Sequence, residues 1–190
     1  MEMTEIQTWM ILAALVAVAM VLVGLFYRRR HSHKLQERFG AEYDRTVTAL
    51  GSRTKGESEL KAREKRVERI EILSLTPAEA ARFSEAWQAL QGRFVDNPKG
   101  VVVQAEQLVR ELMEKRGYPM GDFEHRAGDI SVDHPDVVAH YRSAQAIALR
   151  DQRGLSDTEE LRKAVVHYRA LFDELLESGK PSQESAKKSA

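Results

Sequence analysis

The 190-residue chain contains no cysteine. That absence excludes a disulfide framework, a thiolate nucleophile and any zinc or iron–sulfur centre that needs cysteine ligands. It is also compatible with a reducing compartment. Excess charge of either sign is missing too. Twenty-nine basic residues balance twenty-nine acidic ones, and the sequence pI is near 7.0. A general basic field for nucleic acid is thereby excluded, and the glutamates at 57, 59, 64 and 68 dilute the one basic stretch, residues 53–69. Proline (5) and glycine (11) are sparse and stand at predicted boundaries. Runs of Val, Ile and Thr alternating with period two are absent, so helices are predicted throughout.

Chemical signatures are equally scarce. There is no G-x-x-x-x-G-K-[ST] or G-x-G-x-x-G phosphate loop, no G-x-S-x-G elbow, no H-E-x-x-H pair and no EF-hand spacing. No catalytic residue, cofactor or metal ligand is nominated. Asp129, Asp133 and Asp136 cluster around one turn, but Asp133 and Asp136 read as caps and helix N-terminal charges. Phe83, Trp87, Phe94, Tyr141 and Tyr168 fall at helical spacing and read as core.

What is present is one long apolar run. "WMILAALVAVAMVLVGLFYRRRHSHK" carries no charged residue between Met10 and Phe26. From Trp9 to Tyr27 it would span roughly 28 Å as a helix, which matches a bilayer's hydrocarbon core. Trp9 and Tyr27 bracket it as interfacial aromatics do. A cleaved export signal needs a basic n-region, and "MEMTEIQT" has none. The small-x-small triplet Ala17-Val18-Ala19 would leave "MVLVGLF" at the new terminus, so the run reads as a permanent anchor. Arg28, Arg29 and Arg30 follow it at once, then Lys34 and Arg38, and nothing basic precedes it. Basic flanks stay cytoplasmic, which predicts the N-terminus outside and the bulk of the chain in the cytoplasm. The arginines read first as a topology determinant; attraction of anionic headgroups is their second role, at about 1 kcal/mol each. Ala13, Ala17 and Gly24 share a face and admit close approach of two anchors, hence a homo-oligomer.

The rest divides by composition. Residues 1–8 form a short extracytoplasmic terminus, 9–27 the transmembrane helix, and 28–73 a basic juxtamembrane and charged helical connector. Within the connector, Leu35, Phe39, Tyr43, Val47 and Leu50 form one stripe, and Leu60, Val67 and Ile70 a narrow seam. That pattern is too short for a coiled coil, so a solvated arm broken at Gly51 and Gly56 is expected.

Residues 74–177 read as a small antiparallel helical bundle. Thr76, Pro77 and Glu79 form a capping box ahead of the stripe Ala80, Phe83, Trp87, Leu90, Phe94. A second helix runs from about Lys99 to Gly117. A short one covers Phe123 to Ile130, and a long one starts near Asp133 or His134 with Pro135 in its first turn. The last opens at Ser156-Asp157-Thr158-Glu159, read as another capping box. Residues 178–190 lack apolar side chains and read as a disordered tail.

The segments "LQERFGAEYDRTV", "SVDHPDVVAHYR" and "VVHYRALFDELL", following an apolar N-terminus, resemble a group of bacterial single-pass membrane proteins with an anchor and a helical domain. The resemblance spans most of residues 35 to 176. It implies a bacterial inner-membrane setting and carries no assigned activity or functional residue. The expected function is a membrane-tethered helical interaction or scaffold module that takes the bilayer and a protein partner and does not bind nucleic acid. The alternative is a small-molecule sensor or enzyme with a pocket between bundle helices, built from His134, His140, Tyr141, His167 and Tyr168.

Overall fold

The computed structural model describes the backbone of residues 2–178. It also describes their side chains, apart from those of 2–9, 11–14, 17, 21, 24–25, 27–28 and 31. The described residues are helical and contain no strand. The helices are α1 (Glu2–Phe39), α2 (Ala41–Leu50), α3 (Arg53–Val67), α4 (Pro77–Gly92), α5 (Pro98–Lys115), α6 (Phe123–Asp133), α7 (Pro135–Asp151) and α8 (Thr158–Ser178).

Helices α4, α5, α7 and α8 form the bundle expected from the sequence. Its core holds Phe83, Trp87, Val109, Leu112, Met113, Tyr141, Ala144, Tyr168, Leu171 and Phe172. Trp87 stacks on Phe172 with ring centroids 4.6 Å apart. The stripes place these residues inside because steps of three and four keep side chains on one face. Helix α4 starts as predicted: Thr76 Oγ1 accepts from the Glu79 amide, and Glu79 accepts from the Thr76 amide.

Several starts differ from the sequence reading. Helix α5 starts one residue before Lys99, at Pro98, with the Asn97 side chain accepting from the Gly100 amide. The reciprocal cap of α8 is Asp157 with Glu160, one residue later than Ser156 with Glu159. Ser156 Oγ donates instead to the Ile147 carbonyl. At the start of α7, His134 occupies the cap position without a side-chain cap bond. Helix α6 runs three residues past Ile130, capped by Asp122.

The largest departure is the connector. Residues 35–70 are not a solvated arm. Leu35, Phe39, Tyr43, Leu60 and Val67 are buried together with Val132 of α6, with Val47 and Ile70 packed alongside. Leu50, at the end of the predicted stripe, stays 43% exposed. Gly51 does end α2, in the left-handed region (φ 62°). Gly56 does not break a helix: it is buried inside α3, at its closest approach to α2. A Cβ on Gly56 would lie 2.9 Å from the Val47 Cα, so the missing side chain lets the two backbones meet. A narrow seam suffices for burial here because α6 supplies the opposing surface. Every residue of α6 from Arg126 to Val132 is buried, as befits a helix covered on both sides.

Helix α1 is continuous for 38 residues and runs from the apolar stretch into this second core. Among the described residues no helix is long and apolar enough to cross a membrane. The transmembrane reading of 9–27 falls in large part on side chains outside the described set, including Trp9 and Tyr27, and so does Arg28 of its basic flank. The tail reading likewise lies outside it, except for Ser178, which closes α8.

Candidate functional site

The most elaborate polar arrangement lies where α2 and α3 meet α6 and α7. It begins with Glu42, whose carboxylate is 3% exposed. Glu42 sits one residue before Tyr43 on α2, so burying the tyrosine stripe carries the glutamate partly under with it. A carboxylate without water requires charged partners. Arg142 of α7 donates to it twice, from Nε at 3.1 Å and Nη2 at 2.7 Å. Arg63 of α3 adds a third bond from Nη1 at 3.1 Å. Both arginines are themselves nearly covered, at 11% and 12% side-chain exposure.

The network then opens toward solvent. Glu124 accepts from Arg142 Nη1 at 2.7 Å and from Arg45 Nη2 at 3.3 Å. Burial opposes the Arg142 charge, but Glu42 and Glu124 hold its guanidinium above its ordinary pKa. Glu124 pays some desolvation as well, yet Arg142 and Arg45 bring it below the usual carboxylate value. Gly128 leaves room for Arg63: a Cβ there would stand 3.2 Å from its Nε. A second bridge joins α3 to α6, with Arg66 Nε 2.8 Å from the buried Asp129. Asp129 is therefore an ion-pair partner across the seam and not part of a cluster with Asp133 and Asp136.

A third polar group ties α1 to the same hairpin. Glu57 of α3 accepts from Ser32 Oγ, from Tyr43 OH at 2.9 Å and from Arg53 Nε at 3.0 Å. Burial raises the Glu57 pKa, but these donors outweigh it and leave the group ionised below its ordinary value. The same burial and the adjacent carboxylate raise the Tyr43 phenol. These charges position helices; no described group among them is set up as a nucleophile or a general base.

The five residues of the alternative reading separate into three environments. His140 and His167 meet on the surface of α7 and α8, with their Nδ1 atoms 2.8 Å apart. Burial, and then the neighbouring His140, lowers the His167 pKa below its usual 6.5. Tyr141 and Tyr168 lie fully buried in the bundle, edge to face at 6.3 Å. Arg126 Nε donates to the Tyr141 hydroxyl, and the Tyr168 hydroxyl donates to Gln145, both at 3.2 Å. His134 contacts Glu174 of α8 at 2.9 Å and is 8% exposed. Among the described residues no group of three or more histidine and acidic side chains is placed to hold a metal ion.

Sequence reasoning missed Glu42, Arg63, Arg66 and Arg142. The available signal was weak but real: Glu42, Arg66 and Arg142 are charges one step from an apolar stripe, flanking Tyr43, Val67 and Tyr141, and Arg63 lies three residues from Leu60 and four from Val67. Comparison with known proteins brought no family model, no curated protein and no solved structure that matches the chain.

Proposed function

We propose that the chain is a membrane-anchored helical interaction module: the apolar part of α1 sits in the bilayer, and the seam holds the bundle against the end of that helix to present a surface to a protein partner. The observation that carries the reading is an uncovered apolar surface that runs all round one stretch of helix. Met10, Leu15, Val16, Val18, Met20, Leu22, Val23 and Phe26 are each 54 to 67% exposed along α1. An apolar surface of that extent is rare on a protein surrounded by water. The charge-free run from Met10 to Phe26 and the arginines behind it support a single span with the N-terminus outside and the bundle in the cytoplasm. The resemblance noted from the sequence supports the inner membrane of a bacterium. A homo-oligomer through the anchor fits the same arrangement.

Membrane fractionation of the full chain tests the anchor. The protein is expected to stay with the membrane through alkaline carbonate washing, and protease added from the cytoplasmic side should degrade the bundle. Release by carbonate would overturn the reading. Capture in mild detergent tests the partner: a stoichiometric protein lost with Trp87→Ala plus Phe94→Ala is expected. A folded chain that captures none and turns over a small molecule would return the reading to an enzyme. Tyr141 and Tyr168 spend their hydroxyls inside the bundle, which leaves the ligand-pocket alternative without a specific observation in its favour.

A further inference from the structure

We infer that the base of the folded domain is seated on the headgroup layer and takes anionic phospholipid headgroups in a basic groove formed by Arg29, Arg30 and Lys34 beside Phe26, with Arg53 of α3 at the same depth. The inference rests on the anchor reading above and adds to it the lipid class and the residues that select it.

The groove lies on the face of α1 lined by Phe26, Arg29, Arg30, His33, Lys34 and Glu37. At 100° per residue these positions fall on one side of the helix, while Ser32, Leu35 and Phe39 fall on the opposite side and are buried against the domain. The groove therefore faces away from the protein. Its cations also differ from the arginines of the polar seam. Arg38, Arg53, Arg63, Arg66 and Arg142 each meet a carboxylate within 4.0 Å. Arg29, Arg30 and Lys34 meet none among the described residues, and the groove's own Glu37 is engaged by His33 at 3.2 Å. Arg30 instead lies 5.7 Å from the centre of the Phe26 ring, which puts a guanidinium against the last large apolar side chain before the basic cluster. Three cations bordering an apolar surface complement a phosphodiester attached to acyl chains, and a free phosphate would leave the Phe26 side of the groove unused.

Depth comes from the continuity of α1. Ser32 stands six residues beyond Phe26, about 9 Å along the axis, which is within the headgroup region of a bilayer. Ser32 Oγ bonds to Glu57, and Glu57 holds Arg53 at 3.0 Å, with the Arg53 side chain 62% exposed. The start of α3 is thus pinned at headgroup depth on the side of α1 opposite the groove, with the Arg53 side chain partly exposed there. A flexible linker between anchor and domain would not do this.

The test uses the full chain reconstituted from detergent into vesicles of phosphatidylcholine and phosphatidylglycerol at four to one. Carbonate washing first shows whether the protein is inserted. The lipid that stays with it after gentle detergent release is then quantified by mass spectrometry. The ratio of phosphatidylglycerol to phosphatidylcholine should rise about fivefold or more above that of the bulk vesicle, the factor that a single basic residue at the surface supplies. Arg29→Gln, Arg30→Gln and Lys34→Gln together should remove the enrichment, Arg53→Gln should reduce it, and Arg153→Gln, at the far end of α7, should leave it unchanged. Circular dichroism confirms that each variant folds. An inserted wild type that retains the two lipids in the bulk ratio would overturn this inference and leave the anchor standing. Extraction by carbonate would overturn both. Equal enrichment in the triple variant would show that the lipid is held elsewhere, which also defeats the assignment.

Discussion

Arg142 reaches across one hundred residues of sequence to hold both oxygens of Glu42, at 2.7 and 3.1 Å. The pair joins α7 of the bundle to α2 of the α2–α3 hairpin. With Arg63 on the other flank, it makes the position of the bundle depend on the position of the α2–α3 hairpin.

Removing one member of such a group leaves buried charge behind. Glu42→Ala leaves Arg142 with only Glu124 and Arg63 with only Glu59, both more exposed carboxylates, and should cost up to about 3 kcal/mol in denaturant unfolding. Adding Arg142→Ala should recover part of that loss, giving a favourable coupling in a double-mutant cycle. Additive effects would show that the two side chains do not interact.

The two glycines of α3 and α4 should respond in opposite directions. Gly56→Ala brings a methyl to 2.8 Å from Val47 Cγ2 and 2.9 Å from its Cα, so α2 and α3 must separate. Overpacking of that kind costs about 1–3 kcal/mol. Gly92→Ala, with nothing within 4 Å, should stabilise the chain by up to about 1 kcal/mol through helix propensity and reduced unfolded-state entropy. Thermal melts of the two variants settle the sign.

Glu79 links the start of α4 to the end of α5. Lys115 at 2.7 Å, then the Thr76 amide and hydroxyl, hold its carboxyl at about 2 against an ordinary 4.5. Because the folded value is the lower one, the stabilisation is complete above about 4.5 and is lost as the pH falls through about 2. Glu79→Gln should flatten the dependence of melting temperature on pH across that interval. A variant with the wild-type slope would assign the effect to other carboxylates.

His167 is a base whose pKa is also lowered on folding. Burial and His140 lower its pKa below 6.5, so the unfolded chain takes the proton first as the solution acidifies. Stability from this group is full above the unfolded value and declines as the pH falls toward the folded one. An NMR titration of the full chain should place the His167 midpoint below 6.5, and His140→Ala should move it upward. A midpoint at or above 6.5 in the parent chain would refute the pairing.

How much of this was legible beforehand depends on distance along the chain. The capping box at Thr76 and the stripe through Phe83 and Trp87 were readable because helix periodicity and caps depend on residues three or four apart. The cap of α8 was misplaced by one residue because Ser156 and Asp157 are both competent caps. Only packing of the Ser156 hydroxyl onto Ile147 O decides between them. The connector was misread for a related reason. Its apolar seam is too narrow to stabilise a helix alone, and nothing local announces that α6 will cover it.

By itself the sequence determined that the chain is helical, that α4 begins at the Thr76 capping box, and that one uninterrupted apolar segment leads into a basic flank. These are properties of neighbouring residues and of transfer free energy, which act before any fold exists. Tertiary structure alone decided that Glu42 would be buried, that Arg63 and Arg142 would compensate it, and that α1 would enter the domain without a flexible joint. Each of those needs partners from helices distant in sequence, and an ion pair has no periodicity to betray it.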